Sequence, residues 1–438
     1  MINKRRICLA MPTNRACAEG IEAIVREANF AVHRCGVEVI LLIADTAADD
    51  ALVINKQAVL RQQTLTVPGV KLIHLDREQQ FTILHNVTRH LSNGEKIVQQ
   101  LLPRDASYGA ATNRLFIFAE SYGCDSVHRR DSDSGYQTKE GEEVFPIEHE
   151  IAFAKLDVLE SSWRVEQSLS AQHLPEQPIY ISGASFVGER SVDVEPLLER
   201  SESAFYDVLG LMCPLQFSQQ QKQLLVQNAF SSKATAFEKD KVELVQGQAV
   251  NIDMCNICFT DIYRLIPLPN CSETIGADYF YLQLMKYEKL TFVQHNRHID
   301  NFYTPERRTV SGRVIYQLRL VNYLLYMSFN HALFAYLKQS GQLVLNVNGG
   351  AAPANEVLLQ AIKAVQPTLS YELKQKLDLI IAAYEPLGDE FTQTALFIKQ
   401  SQQSMINKVL SDINAFADLV EIWPTIISNI QGNLEIAA

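Results

Sequence analysis

The stretch RICLAMPTNRACAEGIEAIVREANFAVHRCGVEVILLIAD (residues 6–45) reads as strand, helix and strand. Arg6–Met11 is a short apolar run that stops at Pro12-Thr13-Asn14. Cys17–Cys35 then spaces Ile21, Ile24, Val25, Ala28 and Val32 along one helical face. Val37–Ala44 is apolar almost without interruption and is closed by Asp45. A strand with no polar face is buried on both sides, which predicts a parallel sheet with helices over both faces. The pattern continues outward. Ala51–Gln63 is helical in spacing, Val70–Leu75 is β-rich, Phe81–Leu102 and Tyr108–Tyr122 are helical, and Asp125–Arg129 is a further strand. The fold class expected is α/β, with a Rossmann-like, mostly parallel sheet.

Beyond residue 135 the pattern loosens. Pro178–Ser182, Val250–Thr260 and Leu290–His295 read as strands, while Glu195–Ala229 and Gly276–Tyr287 read as helical. After about Arg313 only helical segments follow: Val314–Ser340, Ala354–Val365, Tyr371–Tyr384 and Asp389–Ile422. The polar stretch PERRTVSG (305–312) therefore divides an α/β domain, 1–310, from a helical C-terminal domain, 311–438. The helical part is expected to support a homodimer.

The chain has 438 residues with 39 Lys and Arg against 50 Asp and Glu, a formal net charge of −11. That balance argues against a nucleic-acid-coating protein, which needs clustered cations to neutralise phosphates. Eight cysteines are too sparse for a disulfide scaffold. Cys255-x-x-Cys258 lacks a second such pair and reads as core rather than as a zinc site. No secretory apolar core follows the N-terminal charges, and Val314–Leu337 is broken by Gln317, Arg319, Asn322, Asn330 and His331. The expectation is a cytoplasmic, reduced protein without a transmembrane segment.

The segment HRRDSDSGY (128–136) puts Asp131 and Asp133 two residues apart just past a buried strand. In extended chain, residues i and i+2 point the same way. The two carboxylates then project from the carboxyl end of the sheet, where open α/β folds bind ligands. Mg2+ or Mn2+ held by carboxylates and substrate phosphates suits such a pair. D-S-D-S-G is equally good turn chemistry, with solvated acids.

Four features occur in a fixed order. Pro12-Thr13-Asn14-Arg15 ends the first strand and Asp45 ends the second; Gly109-Ala110-Ala111-Thr112-Asn113-Arg114 opens a helix; and Asp131-x-Asp133 follows the next strand. This order resembles the GT-A glycosyltransferases, in particular the family 2-like nucleotide-sugar enzymes. It is clear over residues 5–135 and looser over 176–305. The resemblance implies that Pro12, Thr13, Asn14 and Arg15 line a nucleotide pocket and that Asp45 hydrogen-bonds the base or ribose. It implies that Asn113 and Arg114 lie beside the diphosphate or donor sugar, and that Asp131 and Asp133 hold ribose and metal. Thr46-Ala47-Ala48 stands where the family has an acidic-serine turn, which leaves the base open.

The same resemblance extends to ETIGADYFYLQLMKYEKLTFVQHNRHIDNFY (273–303). It implies that Asp278 is the general base toward an acceptor hydroxyl, and that His298, with His295 as the alternative, completes the metal site. Arg307 and Arg308 would clamp a diphosphate or form plain basic surface. The expected activity is metal-dependent transfer of a sugar from a nucleotide diphosphate sugar, UDP-linked in the first instance, to an unidentified acceptor. The alternatives are a nucleotidyltransferase, whose Gly-rich loop after strand one is missing here, and a non-catalytic nucleotide-sugar-binding protein.

Overall fold

The computed structural model describes residues 4–162, 164–165, 177–190, 192–231, 234–247, 250–276, 279–345 and 351–431. β1 (Arg6–Thr13), β2 (Glu38–Asp45), β3 (Val70–Leu75) and β4 (Ser126–Arg130) run parallel in the order β4-β1-β2-β3. Alternate residues of the apolar runs enter two different cores. Ile7, Leu9, Met11, Val39, Leu41 and Ile43 bury on the face covered by α1 (Ala18–Cys35). Cys8, Ala10, Ile40, Leu42 and Ala44 bury on the other. That double burial is why neither run alternates in polarity.

Further along the chain come β5 (Ser134–Tyr136), β6 (Thr138–Lys139), β7 (Glu142–Glu143), β8 (Ile181–Gly183), β9 (Phe186–Gly188), β10 (Val242–Val245), β11 (Asn256–Phe259), β12 (Phe292–His295) and β13 (Ile299–Asn301). Among the described residues the main sheet has eight strands in the order β10-β12-β8-β11-β4-β1-β2-β3. β11 is antiparallel to both β4 and β8, whereas β12 is parallel to β8. β5, β13 and β9 form a small second sheet beside the exit of β4.

The first crossovers fall where the spacing predicts. α2 is Asp49–Gln63 and α5 is Tyr108–Ser121. The single helix expected over Phe81–Leu102 is instead two, α3 (Arg77–Thr88) and α4 (Gly94–Leu101). Asp76 starts α3 early by closing a capping box with Gln79. A turn follows α3, with Gly94 packed so closely on the Thr88 carbonyl that a Cβ would lie 2.4 Å from it.

The C-terminal part consists mainly of the helices Val310–Ser340, Ala351–Val365, Ser370–Tyr384 and Asp389–Gln431. Its side chains enter the same core as one face of the sheet: Leu324, Phe416 and Trp423 cluster with Phe116, Phe118 and Phe259. Trp423 Nε1 also donates to the Tyr263 carbonyl at 2.7 Å. Among the described residues no helix is long and apolar enough to cross a membrane.

Candidate active site

A cavity of about 340 Å3 opens at the carboxyl ends of β1, β2 and β4. Pro12, Thr13, Asn14 and Arg15 line it on one side, and Asp131 and Asp133 on another. β1 turns sharply at its end because the Thr13 hydroxyl accepts from the Arg15 N–H at 3.3 Å. That turn sends the Arg15 side chain across to Asp133, where Nη1 and Oδ2 are 3.0 Å apart. Arg15 is largely buried. Burial, the largest influence, would lower its pKa, but the Asp133 charge together with Tyr316 and Tyr108 raises it on balance.

β4 ends at Arg130, so Asp131 and Asp133 lie in a turn rather than in extended chain. Both nevertheless reach the cavity. Asp131 pairs with Arg129 at 2.9 Å, and Asp133 has Arg307 at 3.9 Å besides Arg15. Arg307 is held between the rings of Tyr303 and Tyr316, at 4.2 and 4.0 Å from their centroids. Arg308 instead pairs with Glu189 at 2.6 Å. Beneath the turn, Arg130 is fully enclosed between Glu27 and Glu150, at 2.9 and 3.0 Å. His128 adds a 2.7 Å contact to Glu150. Burial would raise the Glu150 carboxyl, but Arg130 and His128 hold it at about 2. A rigid ionic bed thus fixes the root of the Asp131–Asp133 turn.

Several residues expected at the pocket serve other contacts. Asp45 has no exposed surface and does not line the cavity. Its carboxylate accepts from the Ala47 N–H at 2.8 Å and from Asn55 Nδ2 at 3.0 Å, and it meets His74 Nε2 at 3.0 Å. It fastens the end of β2 to α2 and β3, and Thr46 takes the cavity wall instead. Asn113 is also buried and off the cavity. It donates to the Leu268 carbonyl at 2.9 Å and to Asn270 at 3.0 Å, and it accepts from the Leu268 N–H at 2.9 Å. Gly109 permits this docking, since a Cβ there would lie 1.8 Å from the Pro269 carbonyl. Arg114 does line the cavity, with Nε on Gln80 at 2.8 Å and Nη1 on the Leu101 carbonyl at 2.6 Å.

Neither histidine lines the cavity. His295 is buried beside His149, its ring centroid 5.6 Å away, and His298 Nδ1 accepts from the Ser185 N–H at 3.1 Å. Burial lowers the pKa of both. Asp278 lies outside the described residues, between Gly276 and Tyr279, which both line the cavity. Among the described residues no group of three or more His, Cys, Asp or Glu side chains could hold a metal ion. Asp131 and Asp133 therefore fit a divalent cation only as a carboxylate pair whose shell a ligand's phosphates complete.

Some of the lining was not anticipated. Among the described residues seven arginines and four aspartates face the cavity, and no lysine. Arg77, Arg104 and Arg319 belong to this set but to no sequence motif, and Arg129 stands inside HRRDSDSGY without an expected role. Arg77 had one available signal, its place directly after a parallel strand at the ligand-binding edge of the sheet. Overhead, Glu273 accepts from the Ala106 N–H at 2.8 Å and pairs with Arg319 at 3.2 Å, closing the roof.

The chain is similar to a mannosyltransferase from Pyrobaculum calidifontis solved in complex with GDP-Man and Mn2+. The two are 12% identical with a TM-score of 0.34, covering 96% of this chain and 88% of that one. It is also similar to glucosyl-3-phosphoglycerate synthase from Mycobacterium tuberculosis solved with Mn2+, UDP and glucosyl-3-phosphoglycerate, at 12% identity and a TM-score of 0.35, covering 74% of this chain and 80% of that one. No curated protein matches the chain significantly. A single family model spans the sheet, the cavity and the C-terminal helices alike, from residue 5 to residue 435, and the chain belongs to that family, the family of unknown function DUF6271.

Proposed function

We propose that this chain is a glycosyltransferase whose donor, a nucleotide diphosphate sugar, binds in the cavity at the carboxyl ends of β1, β2 and β4. The observation that carries the reading is the Arg15–Asp133 pair, which joins the loop after β1 to the turn after β4 inside one arginine-lined cavity. Such a lining suits an anionic ligand, because guanidinium groups grip phosphate oxygens in a fixed fork.

In this reading Pro12, Thr13 and Asn14 wall the nucleotide, and Arg15 and Arg307 face the diphosphate. Asp131 and Asp133 are the side chains that would hold Mn2+ or Mg2+, whose contribution is to neutralise charge on the departing diphosphate. Arg15 and Arg307 supply positive charge to the same oxygens. Asp278 is assigned as the base that takes the acceptor hydroxyl proton in an inverting transfer.

The test is a titration of the full chain with UDP and with GDP, each with and without MnCl2, followed by unfolding temperature. A ligand at 100 times its Kd stabilises the folded state by about 2.7 kcal/mol. One nucleotide is expected to raise the unfolding temperature, more so with Mn2+. No shift with either nucleotide would refute the assignment.

A further inference from the structure

Four of the cavity arginines have carboxylate partners: Arg15 and Arg307 face Asp133, Arg129 meets Asp131, and Arg319 meets Glu273. The remaining three, Arg77, Arg104 and Arg114, line the cavity without one among the described residues. The hydrogen bonds of Arg77 and Arg114 go to neutral groups. Arg77 Nη2 donates to the carbonyls of Leu102 and Pro103, at 2.9 and 3.0 Å. Arg114 donates to Gln80 and to the Leu101 carbonyl. The nearby acids are engaged elsewhere: Asp105 with Lys408 at 3.2 Å, Asp76 with Lys56 at 2.9 Å, and Asp45 with Asn55 and His74.

The bonds to residues 101–103 place two guanidiniums at the carboxyl end of α4. A helix terminus offers roughly half an elementary negative charge, which is too little for three cations. Two of the three, Arg114 and Arg77, are lowered in pKa by burial first and by a neighbouring arginine second. Burial pushes Arg114 down to about 9, with the charge of Arg77 adding to the effect. Burial and then Arg104 lower Arg77. Like charges gathered in a partly dry cavity call for a counter-ion. Arg77, the member that follows β3, is also set apart from the Asp131–Asp133 turn. Arg77 follows β3, three strand spacings from β4, so the strand axes are on the order of 14 Å apart.

We propose that Arg77, Arg104 and Arg114 form a second oxyanion subsite that takes a phosphate group distinct from the diphosphate assigned to the Asp131–Asp133 end. Three cations match a phosphate dianion, whereas a carboxylate would leave most of the charge uncompensated. The subsite goes beyond the glycosyltransferase reading and stands without it. It implies a phosphorylated co-substrate, or a nucleotide carrying an additional phosphate.

The probe is inorganic phosphate, followed by calorimetry and unfolding temperature, with chloride and acetate at matched ionic strength as controls. Phosphate is expected to bind the wild-type chain, and to bind it equally well in saturating UDP or GDP. Arg104→Gln, an exposed position, and Arg77→Gln are each expected to weaken phosphate binding about tenfold or more. Asp131→Asn is expected to leave it unchanged. Phosphate no better than chloride, acetate equal to phosphate, Arg104→Gln binding like wild type, or competition by the nucleotide would each overturn the proposal. Failure of both nucleotides to bind would sink the transferase reading alone, since the phosphate titration decides the subsite separately.

Discussion

Arg15 Nη1 lies 3.0 Å from Asp133 Oδ2, and this contact joins the segments that leave the neighbouring strands β1 and β4, 118 residues apart in sequence. The pair is only partly exposed, with side chains 30% and 16% accessible, so removing either partner strands a charge in a polar but shielded cavity. Asp133→Ala is expected to abolish the Mn2+-dependent part of nucleoside diphosphate affinity. Arg15→Gln should weaken affinity roughly tenfold to a hundredfold with or without the ion. Calorimetric titrations in MnCl2 and in EDTA separate the two outcomes, and equal losses in both media would contradict the division of roles.

Asp45→Ala should act on the fold before it acts on the ligand. It leaves the Ala47 N–H, Asn55 and His74 without their common acceptor. A loss of roughly 2–4 kcal/mol is expected in urea unfolding. Nucleotide affinity measured well below the transition should change by only a few-fold. A large affinity loss with unaltered stability would return Asp45 to the pocket.

Glu150→Gln should destabilise the chain by roughly 3–5 kcal/mol, because Arg130 loses one of its two buried counter-charges. Its pH dependence has a definite sign. The folded carboxyl, at about 2, lies below its ordinary value of 4.5. The stabilisation is therefore complete above pH 4.5 and is lost as pH falls toward 2. Urea midpoints of wild type and variant should converge across that window.

Lys376 offers the opposite case. It is fully buried between helices, with Nζ donating to the Leu324 carbonyl at 2.9 Å. Burial brings its pKa down to about 8 from 10.5, against a weaker pull from Glu372. Below pH 8 the folded state carries an unfavourable charge, and stability should rise between pH 8 and 10.5. Lys376→Met should therefore stabilise the chain near neutral pH by roughly 1–3 kcal/mol. An unchanged or lower unfolding midpoint at pH 7 would show that the Leu324 contact outweighs the burial.

Gly109→Ala should displace the loop 268–270, since the added methyl meets the Pro269 carbonyl. Overpacking of this kind lowers stability by about 1–3 kcal/mol. The Asn113 side-chain amide, now hydrogen-bonded to that loop, should exchange its hydrogens faster in an NMR comparison of the two proteins.

β1 and β2 were legible because each is an apolar run buried on two faces, as Ile7–Met11 and Val39–Ala44 are, whereas β4 buries His128, Arg129 and Arg130. β9, β10 and β13, of three or four residues each, are too short to establish a period. Polar residues were harder to place. Asp45 and Asp131 both end strands, yet one faces Asn55 and His74 while the other faces the cavity. Only the helix and strand that follow β2 make that difference. Gly109 and Asn113 read as a phosphate-side motif, but they dock a loop 155 residues away. The convergence of Arg77, Arg104 and Arg114 is tertiary, and nothing in their local spacing announces it.

The roof of the cavity depends on the far end of the chain. Asp412 accepts from the Ser272 N–H at 3.0 Å and from the Tyr326 hydroxyl, beside the Glu273 that ties down Ala106. During synthesis the N-terminal strands can pair long before residue 412 exists. A nascent chain thus has a floor for its ligand and no ceiling. Ligand retention therefore reports whether the segment around Asp412 has docked, and a chain that stops short of it should hold its ligand less well.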